Sequence, residues 1–132
     1  MNFNFNVLQT STKSCARVGE ITTPHGVIKT PALVVVGTKG TVKGLSPEDL
    51  ELTGTQFVFS NTYHLVLSPT LEVIEKAGGI HKLSKINKPI ITDSGGFQVF
   101  SLSRGNRASL TPNDNDEKPI LVKIDENGVT LT

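Results

Sequence analysis

The stretch Ile90-Ile91-Thr92-Asp93-Ser94-Gly95-Gly96-Phe97-Gln98-Val99-Phe100-Ser101-Leu102 runs from an apolar strand straight into an acid, a small hydroxyl, two glycines and an aromatic ring. Each of these residue types serves a planar polar ligand. A carboxylate at Asp93 accepts hydrogen bonds or moves a proton, and Gly95 and Gly96 let backbone amides come close because they carry no side chain. Phe97 offers a flat face for stacking. The pattern reads as a small-molecule pocket at the carboxyl end of a β-strand, where barrels and open sheets place their sites. A plainer reading fits the same residues: a strand and a glycine turn, with Asp93 capping the next segment and Phe97 in the core.

Upstream, two further strands repeat the theme. Ala32-Leu33-Val34-Val35-Val36 is an unbroken apolar run ending at Gly37, as expected of a strand buried on both faces. Gln56-Phe57-Val58-Phe59-Ser60 is the next, followed by Asn61-Thr62-Tyr63-His64-Leu65. Between them, Ser46-Pro47-Glu48-Asp49 predicts a helix start, with an N-cap, a first-turn proline and two acids, and the helix is expected to stop at Gly54. Ser68-Pro69 predicts a second helix by the same device. It carries Leu71, Ile74 and Ala77 on one face and stops at Gly78-Gly79. A short basic segment, His81 to Lys88, then leads through Pro89 to the strand Ile90-Ile91-Thr92. Strands alternating with helices imply parallel pairing.

The first thirty residues have a different rhythm. Phe3, Phe5 and Val7 alternate with Asn2, Asn4 and Asn6, the period of a half-buried strand. Ala16 to Thr22 and Val27 to Thr30 are two more strand candidates around the turn Pro24-His25-Gly26, so a β-meander is expected over residues 1–30. Residues 31–102 hold the first strand and helix units. In 103–132, a polar loop from Ser103 to Lys118 precedes a hairpin of Ile120 to Ile124 and Val129 to Thr132.

Composition narrows the function classes. With 132 residues the chain is one domain by length, and 36% hydrophobic with 19% charged residues implies a folded chain. A formal charge of +1, from 13 basic and 12 acidic side chains, makes no whole-chain case for nucleic-acid binding. Any RNA contact requires a local patch, for which Lys39, Lys43, Lys82, Lys85 and Lys88 are candidates, scattered solvated lysines being the commoner case. A single cysteine, Cys15, excludes an internal disulfide and a multi-cysteine metal site. The sequence has neither an apolar run of membrane-span length nor a signal peptide at its start, so a cytoplasmic protein without membrane contact is expected.

Taken together, Thr30-Pro31-Ala32 leading to Val36-Gly37-Thr38-Lys39-Gly40-Thr41-Val42-Lys43, then Asn61 to Leu65, then Thr92 to Leu102, closely resemble the amino-terminal third of tRNA-guanine transglycosylases, the queuine tRNA-ribosyltransferases. The likeness covers roughly residues 15–102. It departs from the family at Leu33 to Val35, where an aromatic and a proline are missing, and at Ser68-Pro69-Thr70, where the family's usual arginine is absent. The resemblance implies an α/β fold, a partial (β/α)₈ TIM-type barrel preceded by the antiparallel meander. It implies an enzyme that exchanges guanine in a tRNA anticodon for a 7-deazaguanine base in queuosine biosynthesis. Carried over by position, Asp93 is the catalytic proton acceptor, and Asp93, Ser94, Gly95, Gly96 and Phe97 bind the base.

Asn61 and His64 are candidates for the pocket rim, with Asn61 placed to hold Asp93; a structural turn with a satisfied histidine is the alternative. His25 and His81 read as turn and surface residues. The resemblance also implies a catalytic nucleophile and a zinc site, whose residues it places beyond residue 132, so neither the nucleophile nor a metal ligand is expected in this chain. Asp114, Asp116 and Asp125 read as surface acids. The implied partners are tRNA and guanine or a 7-deazaguanine base, with a homodimer at full length. The abrupt end at Thr132 reads as a cut, so the chain is expected to be an incomplete fragment, inactive alone. A non-catalytic partner subunit of a transglycosylase is the alternative.

Overall fold

The computed structural model describes residues 3–103, 122–126 and 128–131. The chain divides into two compact units, one ending at Asp93 and one beginning at Ser94, and each is described by itself.

The first unit opens with an antiparallel meander: β1 (Asn4–Thr10), β2 (Arg17–Thr23) and β3 (Gly26–Thr30), in that spatial order. Phe5 pairs with Ile21, and the register shifts between Val7 and Gln9. Gly19 on β2 is required by close approach, since a Cβ there would lie 2.9 Å from the Phe5 ring and 2.7 Å from the Asn6 carbonyl oxygen. The alternation in β1 predicts one buried face, but Phe5 and Val7 are 44% and 45% exposed. The reason is position: β1 is an edge strand paired only with β2 among the described residues, and no second layer covers its apolar side chains there.

The opposite edge of the meander is tied down by a side chain. Gln56 Oε1 accepts from the Lys29 N–H at 2.7 Å, and Gln56 Nε2 donates to the Lys29 carbonyl at 3.3 Å. The amide thus satisfies both backbone groups at one position of β3, as a neighbouring strand would.

A small parallel sheet follows: β4 (Val35–Val36), β5 (Val58–Ser60) and β6 (Ile90–Thr92), in the order β4-β5-β6. Only two residues of the apolar run at 32–36 are strand, and Leu33 and Val36 are 83% and 56% exposed. Full burial is found instead on one face of central β5, that of Val58 and Ser60, with Phe59 on the other face half-buried. The described residues thus form a mixed α/β structure of one antiparallel and one small parallel sheet; they do not make a closed barrel.

Helix α1 (Pro47–Leu52) begins at the predicted cap. Asp49 N donates to Ser46 Oγ at 3.1 Å and Ser46 N donates to Asp49 Oδ2 at 2.8 Å, a reciprocal capping box. Leu50 on its inner face joins Val58 and Ile86 in the core, with Val35 and Val42 packed against them. Each such side chain contributes about 1.5–3 kcal/mol by leaving water.

Three helices depart from the sequence reading. α2 (Thr62–Leu67) occupies the segment read as a rim or turn. The predicted helix start at Ser68-Pro69 is displaced, because α2 runs up to Leu67 and Ser68 serves as its C-cap, donating to the His64 carbonyl at 2.9 Å. α3 therefore begins at Leu71 (Leu71–Lys76), with no side-chain cap from Thr70; Ile74 and Ala77 are half-buried while Leu71 is exposed. The basic segment contains α4 (Ile80–Ser84), which ends where Lys85 adopts a left-handed conformation.

The second unit contains α5 (Gly96–Ser103) and a hairpin of β7 (Val122–Asp125) and β8 (Gly128–Leu131), with Asp125 opposite Gly128. The polar loop expected from Ser103 to Lys118 lies outside the described residues beyond Ser103, as do Ile120 and Thr132 of the expected hairpin strands and the surface acids Asp114 and Asp116.

Candidate active site

The parallel register puts the chemistry-bearing residues at one end of the sheet. Ser60 pairs with Thr92, so the next residue on each strand is Asn61 and Asp93. Adjacent strands lie about 4.8 Å apart, close enough for a side-chain amide to reach a carboxylate. Asn61 Nδ2 donates to Asp93 Oδ2 at 2.7 Å. The Thr62 N–H donates to Asp93 Oδ1 at 2.8 Å, and the Thr62 hydroxyl donates to the Asp93 backbone carbonyl.

Asn61 is buried and fully determined by its neighbours. Its Oδ1 accepts from the His64 N–H at 3.2 Å, capping α2, which leaves only the NH₂ group to face the acid. The Thr62 N–H is a first-turn donor of α2 that the helix itself cannot satisfy, and Asp93 satisfies it. Beneath this pair, Ser60 is buried and donates from Oγ to the Gly37 carbonyl at 2.8 Å, so the polar end of β5 contains no stranded hydroxyl. Asp93 itself is half-buried. Each carboxylate oxygen has one protein donor among the described residues, and a carboxylate has about four lone-pair sites, so acceptor capacity remains for a ligand N–H.

His64 lies on α2, with its ring edge-on to Tyr63 at 5.4 Å and 74°. Tyr63 is buried, and its hydroxyl makes no hydrogen bond among the described residues. The residue missed in the sequence reading is Thr62, which makes two of the three bonds to Asp93. The signal was its place one residue after Asn61 at a helix N-terminus.

Ser94, Gly95, Gly96 and Phe97 open the second unit. Gly95 has φ +69°, a left-handed conformation that favours glycine. Its carbonyl accepts from the Val99 N–H at 3.1 Å, the first turn of α5. Ser94 Oγ accepts from the Gly96 N–H at 3.4 Å. Phe97 is 77% exposed and does not occupy a core position.

Of the remaining titratable groups, Asp49 is held below the usual carboxylate range by the backbone N–H and hydroxyl of Ser46. His81 is held below the usual histidine range by burial and by His25, against an upward pull from the Lys88 carbonyl. Cys15 is exposed. Among the described residues no three His, Cys, Asp or Glu side chains converge as a metal site, so these residues do not fit the implied zinc and no step is assigned to it. No helix among them is long and apolar enough to cross a membrane.

The family model for queuine tRNA-ribosyltransferase matches residues 11–132. The chain is 48% identical over 129 residues to the queuine tRNA-ribosyltransferase of Protochlamydia amoebophila, covering 96% of this chain and 33% of that relative. It is 46% identical over 127 residues to that of Aquifex aeolicus, covering 96% and 31%. With that of Shouchella clausii it shares 55% over 96 residues, covering 73% and 25%. The chain thus spans about a third or less of the length of these relatives.

Proposed function

Because the chain belongs to the queuine tRNA-ribosyltransferase family, we propose that the protein built on it exchanges guanine in a tRNA anticodon for a 7-deazaguanine base, with Asp93 as proton acceptor. The observation that carries this reading is the fixed carboxylate of Asp93, held by Asn61 and Thr62 at the end of β6. An incoming base must lose a ring N–H proton as its glycosidic bond forms, and a positioned carboxylate takes it. The bond to the departing guanine breaks in the other half of the exchange, and the same acid returns the proton to that base.

Ser94, Gly95, Gly96 and Phe97 are assigned to base binding, with the Phe97 ring as a stacking face and the glycines admitting a flat heterocycle near the backbone. Asn61 and Thr62 orient the acid, and His64 belongs to the rim through its place on α2. No residue of this chain is assigned the nucleophile's role, so the 132 residues alone are expected to exchange no base. In this reading β4, β5 and β6 with their helices are the first units of a (β/α)₈ barrel, and the full-length protein works as a cytoplasmic homodimer on tRNA.

The test is incorporation of labelled guanine into substrate tRNA by the full-length protein. Incorporation is expected. Its absence, with a complete homologue copurifying as an obligatory partner, would overturn the catalytic reading in favour of a non-catalytic subunit.

A further inference from the structure

Pro24-His25-Gly26 and Gly78-Gly79-Ile80-His81 are assigned no role in the proposed base exchange, and the fold brings their two imidazoles face to face. The rings of His25, in the turn between β2 and β3, and His81, in the first turn of α4, stack with centroids 3.6 Å apart and planes 10° apart. His81 Nε2 lies 3.1 Å from the Lys88 carbonyl oxygen. A carbonyl only accepts, so Nε2 carries a proton and Nδ1 is the position that titrates. Both rings border a cavity of about 470 Å³ whose apolar lining includes Phe3, Ile21, Ile28, Pro89, Ile90 and Ile91. The turn sits close to the start of β6, since a Cβ on Gly26 would lie 3.7 Å from Pro89.

The surroundings offer little to neutralise a second positive charge. No carboxylate lines this cavity among the described residues. α4 contributes Lys82, and Lys85 follows at its cap. Lys88, whose carbonyl holds His81, has its ammonium bonded to Glu51 at 2.7 Å. On the meander, β2 carries Arg17 and Glu20 and β3 carries Lys29, with Glu20 opposite Lys29 in the register.

We propose that the stacked His25–His81 pair is an acid-released clasp that fastens the β2–β3 turn to α4, closed while at most one ring is protonated and open when both are. Neutral rings stack favourably, and one imidazolium on a neutral ring is tolerated. Two imidazoliums at stacking distance repel, with no acid among the described residues lining the cavity to offset them. Release frees the turn and admits water to the apolar cavity. The direction of the His81 shift agrees with this geometry: burial comes first and the His25 charge second. A histidine that protonates less readily when folded contributes full stability above the unfolded value of about 6.5. That contribution is lost as pH falls from there toward the lower folded value.

The clasp does not depend on the catalytic assignment. Its test is an imidazole NMR titration of the full-length protein between about pH 5 and about pH 8, with thermal denaturation across the same range. The expected result is His81 protonating below the free histidine range, and a Tm that drops as pH falls through this window. His25→Phe keeps a ring in the stack without a charge; it should move the His81 midpoint upward and flatten the drop in Tm. A His81 midpoint at the free value in the parent protein would overturn the clasp, as would an unchanged Tm slope in His25→Phe. If that variant does not fold, the parent titration decides alone.

Discussion

Asn61 and Asp93 lie 32 residues apart in the chain, and their side chains meet at 2.7 Å across the ends of neighbouring parallel strands. The contact follows from register: once Val58 faces Ile90 and Ser60 faces Thr92, the first residues beyond the ladder face each other. Asn61 uses its two ends differently, donating to the acid and capping α2. One side chain thereby couples the start of a helix to the position of a carboxylate.

Replacing Asn61 in the full-length protein should therefore affect two measurable quantities. Asn61→Ala removes the α2 cap and one donor to Asp93, costing about 1–2 kcal/mol of stability. Exchange should fall about tenfold or more, mainly in kcat, because a misaligned proton acceptor harms the chemical step more than base binding. Urea unfolding and steady-state guanine exchange check both effects. Unchanged kcat would mean that Asn61 does not position the acid.

Gly37 and Val58 form a second pair whose coupling is open to measurement. A Cβ on Gly37 would lie 2.9 Å from Val58 Cγ1, in the fully buried centre of the sheet. Gly37→Ala should cost about 1–3 kcal/mol by overpacking, and Val58→Ala about 2 kcal/mol through lost burial and a cavity. The double variant should be more stable than the sum of the two costs implies, since each change relieves the other. Strict additivity in denaturant melts would contradict this packing.

How far this structure was legible beforehand depended on the length of each signal. The meander, the capped α1 and the strand leading into Asp93 each carry several concordant residues, and each appears in the fold. α2 and α4 have six and five residues, less than two turns, so no apolar period can develop. α2 also begins with Thr62, Tyr63 and His64, which are poor helix formers, so the capping asparagine before them reads as part of a turn. Ser68-Pro69 carries a genuine start signature, overridden because the preceding helix consumes Ser68 as its last cap. The Asn61–Asp93 contact was accessible from strand order alone, whereas the part played by Thr62 needed the α2 boundary.

The capping box of α1 makes a pH prediction with a definite sign. Ser46 holds Asp49 below its ordinary range, so the folded state favours the carboxylate. The associated stability is present above the unfolded aspartate value of about 3.9 and is lost as pH falls through the lower folded value. In an NMR titration, Ser46→Ala should raise the Asp49 midpoint toward the unfolded value. No movement would show that the Ser46 hydroxyl does not contribute to it, the backbone N–H being retained in the variant.

The central claim is that Asp93 is the proton acceptor of base exchange, and Asp93→Asn in the full-length protein tests it most directly. The amide can keep a carbonyl oxygen facing Thr62 but sets its NH₂ against that of Asn61, so some stability is lost while the fold should survive, and the proton has nowhere to go. Labelled-guanine incorporation into tRNA should fall by about 10²- to 10⁴-fold in protein that urea unfolding shows to be folded, far beyond what the lost hydrogen bond to Asn61 costs in stability. Exchange at the parent rate in a folded Asp93→Asn protein would contradict the account.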